Sequence, residues 1–376
     1  MKILHLFSDN RKTGPAEPAI QMARAMQDRG HEVLFAYRAG GRDGRMPKTV
    51  DAYGVPGTTD FALNRYFGIK DTIHDFTKLP RFLKREKFDV IHAHLNHDHI
   101  LGALCAKRSG RGRAKVIRTL HQRDVIRQTM GYRWMLRKQS DGLLTFTEGF
   151  RQAYIEQFGL DPERVGVQGM PVNLEAFDPQ RAYKPLRKKI GVPDDAVAIG
   201  IVGRFQPYRK MDVFLEGVAR VAKQRPNARF VIIGRSRSVE ETVLKPIREK
   251  GLEGYAIHAG YFTDDYPDAV ASLDVFSLLM PGSDGTARAV REGMALGKPC
   301  VVSDYGMLPD IVPNDKAGYV VPMDPDALAS AWIRLIDDAS LRERMGAAAR
   351  QEAEDRFDTH SGAEKIEAFY DKILGM

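Results

Sequence analysis

Residues 281–299 read "PGSDGTARAVREGMALGKP", between the apolar runs "VFSLLM" (275–280) and "CVVSD" (300–304). Two continuous apolar runs around a short, mostly polar segment predict a strand–helix–strand unit in a sheet buried on both faces. Gly297 suits the position just past a helix end and Pro299 prevents continuation, so the spacing predicts a helix over 287–296. The first amides of that helix, at Gly285, Thr286 and Ala287, have no partner within the helix and are expected to form an anion site. Two acids flank it, Asp284 before the helix and Glu292 within it. Eight helical residues would separate them by about 12 Å, whereas hydrolytic carboxylate pairs stand roughly 5–9.5 Å apart. Two acids on either side of an anion site suit hydroxyl groups at the two ends of a diphosphate. An N-cap Asp followed by an unrelated exposed Glu fits the same residues.

The same alternation extends in both directions. Upstream, strands are expected at 2–7, 33–37, 89–94, 115–121 and 142–147, separated mostly by helix-period segments such as 16–29, closed by Gly30. A polar, proline-containing bridge spans 171–195, after which strands restart at 197–204, 229–234, 255–260, 275–280, 300–304 and 317–321. The expected fold class is α/β, with two doubly wound parallel-sheet domains facing each other across a cleft: 1–170, a linker 171–195, and 196–359. Ligands of such sheets bind beyond the carboxyl ends of the strands.

Composition narrows the partners. At 376 residues the chain is long enough for two ordinary domains, and no apolar run approaches a membrane span. The opening "MKILHLFSDN" reads as a first strand and not as a secretory signal. Two widely separated cysteines, Cys105 and Cys300, argue against a disulfide and for a reducing cytoplasm. The net charge is +8, but residues 1–170 hold 29 Lys and Arg against 18 Asp and Glu; that surplus of eleven leaves a deficit of three for the rest. Eleven basic residues and one acid, Asp124, fall between Lys107 and Lys138. Such a run is commonly a solvated face; an anionic membrane surface or a phosphorylated acceptor would also use it. Nucleic acid is the weakest reading and is not expected, because no zinc spacing, RRM-like aromatic signature or recognition helix accompanies the run.

Several stretches in order carry a resemblance. "DGTARAVREGMALGKPCVV" resembles "EGFGxxxxEAMAxGxPVV", the E-x7-E motif of the GT-B glycosyltransferases of family 4. "IVGRFQPYRKMDVFLEG", "ARFVIIGRS", "SDYGMLPDIV" and "AGYVVPMDPDALASAWIRLIDD" are similar to its neighbouring blocks. "KILHLF", "RGHEVLFAY", "FDVIHAH" and "RTLHQ" follow the family's order more loosely, so the resemblance covers nearly the whole chain.

The resemblance implies a role for each matching residue. Glu292 would hold the ribose of a nucleotide and Asp284 the donor sugar, although Asp is one methylene shorter than the family's Glu. Thr286 and Ala287 replace its Phe-Gly, which alters the donor-sugar pocket. Gly203 and Arg204 match the family's Gly-Arg. Arg209 aligns with its Lys and Lys210 with its Gly, and one of these two cations would complete a phosphate clamp. Gly14 occupies the glycine-rich loop, with Pro15 beside it in place of a second Gly. His121, ending "IRTLH", would hydrogen-bond the donor sugar. The last helix, about 360–376, would cross back onto the first domain.

"HAHLNHDH" supplies His92, His94, His97 and His99, with His92 and His94 on one strand face. No Cys pair or HExxH-type helix accompanies them, and they are expected to line the acceptor side of the cleft. Asp324–Asp326 reads as a helix cap and not as a metal site.

The implied activity is retaining, metal-independent transfer of a sugar to a saccharide or lipid-linked acceptor in cell-envelope polysaccharide or lipopolysaccharide synthesis. The donor would be a UDP-sugar, or alternatively a GDP-sugar, with no cofactor. The basic first domain would contact the anionic inner face of the membrane. A non-catalytic sugar-nucleotide binder and a GT-B sugar-nucleotide epimerase are the alternatives.

Overall fold

A computed structural model describes every residue except Lys12, 41–43, 111–113, Arg123 and 283–286, and gives backbone alone at Thr359 and His360. The chain divides into two compact units, Met1–Gly169 with Thr359–Met376, and Met170–Asp358.

The first unit holds strands Lys2–Phe7 (β1), Glu32–Tyr37 (β2), Gly57–Thr58 (β3), Val90–Ala93 (β4), Lys115–Thr119 (β5), Gly142–Thr145 (β6) and Val165–Val167 (β7). They form one parallel sheet in the order β3-β2-β1-β4-β5-β6-β7. The second unit holds Val197–Gly203 (β8), Ala228–Gly234 (β9), Ala256–Gly260 (β10), Val275–Leu278 (β11), Cys300–Ser303 (β12) and Gly318–Val321 (β13), in the order β10-β9-β8-β11-β12-β13. Both sheets reverse direction beside their first strand, between β1 and β4 and between β8 and β11. These are the switch points where doubly wound sheets bind ligands.

Ile3 to Phe7 and all of β4, β6, β11 and β12 are buried, because helices cover both faces of each sheet. That is why their sequences are continuously apolar and do not alternate. Strands β3 and β7, at two and three residues, are too short to print a pattern and were not expected from the sequence.

The final helix, Thr359–Leu374, belongs to the first unit. Ala363, Ile366, Phe369 and Tyr370 enter the core formed with β1, β2 and the helix Ala16–Asp28. Full burial of each large apolar side chain contributes about 1.5–3 kcal/mol. Phe369 lies so close to β6 and β7 that a Cβ on Gly142 would stand 2.9 Å from its ring and one on Gly166 2.7 Å. Glu367 accepts from Arg29 Nε at 2.6 Å and bonds His31 at 2.7 Å, tying the helix to the turn before β2.

Candidate active site

The switch point of the second sheet is built from backbone. Gly234, ending β9, has φ +147°, and a Cβ there would stand 1.8 Å from the carbonyl oxygen of Gly203. Only glycine lets the ends of β8 and β9 approach this closely. Arg209 packs over the same place: its Nη2 would lie 3.3 Å from a Cβ on Gly203. Its Nε donates to Arg204 O at 3.1 Å and its Nη1 to Met280 O, so one guanidinium links the loop after β8 to the chain leaving β11.

The three cations of this loop therefore differ. Arg209 is committed to backbone carbonyls. Arg204 and Lys210 are exposed, and neither side chain has a hydrogen-bond or ion-pair partner among the described residues. Lys210 caps the helix Met211–Ala222 with φ 57°, a left-handed conformation. That conformation gives a physical reason for glycine at this place in the family pattern, since a side chain there is strained by roughly 1–2 kcal/mol.

Across the switch point the helix after β11 spans Arg288–Ala295 and begins from Ala287, which is also left-handed at φ 45°. Here too the family pattern has glycine. Asp284, Gly285 and Thr286 lie outside the described residues, so the expected first carboxylate and the first two amides of the anion site are not placed. Glu292 is buried, and both of its oxygens are engaged. Tyr266 donates to Oε2 at 2.6 Å and Arg288 Nε to Oε1 at 2.7 Å. Burial first, and then the Glu292 charge, pushes the Tyr266 hydroxyl well above its ordinary range, so it stays a donor. The other arginine of the quoted stretch, Arg291, is buried and donates to Met170 O and Pro171 O, fixing the bridge into this unit. Tyr266 gave no sequence signal, because it meets Glu292 only through the packing of its own helix, Tyr266–Ala271, against Arg288–Ala295.

In the first unit, Gly14 lies in the turn between β1 and the helix Ala16–Asp28, where Ala16 N bonds Thr13 O at 3.0 Å. His121 follows β5 and is buried at 3% exposure. The four histidines of "HAHLNHDH" are all buried as well, His92, His94 and His99 at 0% and His97 at 3% exposure. The backbone explains it. His92 lies on β4, covered on both faces, and the other three lie in or beside the first turn of the helix Asn96–Ser109. His99 bonds Ser140 at 2.7 Å and Arg118 at 3.1 Å, so Arg118 of the basic run is interior too, at 1% exposure.

His5, His92 and His94 form the one group of potential metal ligands among the described residues. Their ring planes lie nearly parallel, at 8–18°. Their nitrogens also bond to one another, to His121, to Tyr370 and to Thr119; only His5 Nε2 has no partner among the described residues. This arrangement suits a hydrogen-bond network better than a metal centre. Asp324, as expected, caps a helix: its carboxylate accepts from Asp326 N and Ala327 N at 3.0 Å each.

Two family models match the chain in succession, "Glycosyltransferase Family 4" over residues 15–176 and "Glycosyl transferases group 1" over 183–352. The chain belongs to glycosyltransferase family 4. It is thus a GT-B enzyme that transfers a sugar from a nucleotide sugar. This glycosyltransferase is 23% identical to the UDP-Gal:alpha-D-GlcNAc-diphosphoundecaprenol alpha-1,3-galactosyltransferase of Escherichia coli, over 98% of this chain and 96% of that one. It is 22% identical to the N-acetyl-alpha-D-glucosaminyl L-malate synthase of Bacillus anthracis, over 94% and 92%. Among solved structures it is similar in fold to Anabaena HepE in complex with UDP, with a TM-score of 0.81 at 19% identity over 98% and 99% of the two chains.

Proposed function

We propose that this glycosyltransferase is retaining and metal-independent, takes a UDP-sugar, and delivers the sugar to a lipid-linked saccharide in cell-envelope synthesis. The observation that carries the reading is the buried Glu292 carboxylate, oriented by Tyr266 and Arg288 one turn into the helix that begins at the β8/β11 switch point. A fixed carboxylate there accepts from the ribose hydroxyls. The helix start and the uncommitted cations Arg204 and Lys210 take the diphosphate, with Arg209 holding their loop in shape. The family resemblance gives the donor sugar to Asp284.

As the anomeric bond breaks, positive charge grows on the sugar and negative charge on the departing diphosphate. Cations and helix-end amides placed beforehand stabilise that separation without a metal. The Escherichia coli relative, whose name specifies a UDP-sugar donor and a diphosphoundecaprenol-linked acceptor, supports the donor and acceptor classes.

Surface chemistry supports a membrane-borne acceptor. Tyr66, Phe67, Ile69, Ile73, Met130 and Trp134 are exposed large apolar side chains of the first unit. Phe67 stands edge-on to His97 at 4.4 Å and the Tyr132 hydroxyl accepts from Asn96 at 2.8 Å, so both groups flank one helix start. Lys70, Arg133, Arg137 and Lys138 accompany them in sequence, and apolar side chains rimmed by cations suit an anionic bilayer. No described helix is long and apolar enough to cross a membrane.

The test is a panel of UDP-, GDP- and ADP-sugars in EDTA, with and without a polyprenyl diphosphate saccharide. Transfer with retained anomeric configuration, or slow release of UDP, supports the reading. Formation of a 2-epimer makes the protein an epimerase, and thermal stabilisation with no product makes it a binder.

A further inference from the structure

We propose that His5 and His94 are positioning residues that fix the tautomer of His121, so that His121 presents Nδ1–H as a hydrogen-bond donor to the bound ligand. The three rings form one chain. His5 Nδ1 lies 3.0 Å from His94 Nε2, and His94 Nδ1 lies 3.1 Å from His121 Nε2. All three are buried, at 0%, 0% and 3% exposure. Burial holds His5 and His121 down to about 3 and His94 well below the ordinary imidazole range, so each ring is neutral near pH 7.

A neutral imidazole has one N–H and one lone pair. In an unbroken chain of such rings the choice at one end dictates the choice at the other. Either every ring donates from Nδ1, leaving Nδ1–H free on His121 and a lone pair on His5 Nε2, or every ring donates from Nε2 and the ends reverse. The two terminal atoms, His5 Nε2 and His121 Nδ1, are both buried with no partner among the described residues. Among the described residues, one of them is therefore an N–H with no acceptor.

An orphaned buried N–H is tolerated less well than an orphaned lone pair. His5 sits in mid-strand, stacked 5.1 Å from His92 and 6.0 Å from Phe35, where no ligand reaches it. His121 lies past the carboxyl end of β5, on the side of the sheet where ligands bind. The N–H therefore belongs on His121, where a ligand oxygen can accept it, and the lone pair stays at His5. His92 takes no part. Thr119 donates to Gln168 at 2.9 Å and so accepts from His92 Nε2 at 2.8 Å, which fixes that ring independently with Nε2–H.

The expectation is open to direct measurement. In 15N-histidine-labelled protein, long-range nitrogen–proton correlation spectra should show His5, His94 and His121 protonated at Nδ1, the minor form of free histidine, and His92 at Nε2. Protonation of His121 at Nε2 overturns the proposal. His5→Phe keeps the ring's bulk but removes the donor, and should leave His121 in a mixture of tautomers. His5→Asn replaces Nδ1–H with an amide N–H and should restore the wild-type spectrum. A His121 spectrum unchanged in His5→Phe also overturns the proposal.

The kinetic arm rests on the ligand-binding role given to His121 above. kcat should fall about two- to fivefold in His5→Phe, in step with the Nδ1–H fraction of His121 that is lost, and recover in His5→Asn. A spectrum that behaves as expected while kcat stays constant rejects the role of His121 and leaves the tautomer chain standing.

Discussion

The Tyr266 hydroxyl donates to Glu292 Oε2 at 2.6 Å, from a helix that begins 26 residues earlier in the chain. Together with Arg288 it fixes a carboxylate that is only 3% exposed. A hydrogen bond to a charged group contributes about 1.5–3 kcal/mol, so Glu292→Gln should weaken UDP binding by roughly 10- to 100-fold, read by calorimetric titration. Tyr266→Phe should weaken it less and lower the melting temperature. UDP affinity unchanged in Glu292→Gln removes the ribose contact from the reading.

Lys210 should separate stability from binding. Lys210→Gly relieves a left-handed side chain by about 1 kcal/mol, worth about 2–4 °C in a unit of this size. It also removes an uncommitted cation, so the melting temperature should rise while donor affinity falls. Ala287→Gly relieves the same strain at φ 45° and should raise melting alone. A fall in melting temperature for both variants contradicts the left-handed geometry.

Gly166→Ala should loosen the final helix. A Cβ there would stand 2.7 Å from Phe369, and overpacking of this kind costs about 1–3 kcal/mol. Protease cleavage near residue 358 should accelerate, and Phe369→Leu in the same chain should slow it again. Equal cleavage in wild type and Gly166→Ala would show that the sheet yields.

Acid should destabilise the first unit. His5 and His121 titrate near 3 when folded, against 6.5 for the free side chain, and His92, His94 and His99 are lowered too. Between those values the unfolded chain binds more protons, so stability falls as pH drops. Asp98, which burial pushes up to about 7, acts in the opposite direction, but it is one group against several. Calorimetry should show melting temperature declining from pH 6.5 to 4.5. A flat profile would mean these rings are protonated in the fold.

Trp134 offers a test of membrane contact. It is 48% exposed, while the other tryptophan, Trp332, is fully buried. Emission should shift to the blue with anionic phosphatidylglycerol vesicles, shift less with neutral ones, and reverse partly in high salt. Emission indifferent to vesicles would remove this surface from the membrane.

The strands and helices were largely legible because both sheets are covered on two faces, which prints their strands as continuous apolar runs such as "KILHLF" and "VFSLLM". The helix at Arg288–Ala295 and the cap at Asp324 were legible for a local reason, since Gly297, Pro299 and the acid before Pro325 act within one turn. Cations could be found but not sorted. "GRFQPYRK" shows three, yet nothing in it says that Arg209 would be spent on Met280 O. "HAHLNHDH" shows four histidines, but not that they would be interior.

Sequence alone determined two doubly wound units, the family, and the helix that carries Glu292, because each follows from patterns a few residues long. Tertiary structure decided who meets whom. His5 joins His92 because β1 and β4 pair in register, and His94 follows two residues later on the same face; Tyr370 arrives from the far end of the chain, and Tyr266 reaches Glu292 across a helix contact. Register and helix packing are fixed by summed burial over the whole core, and no single stretch of residues encodes them.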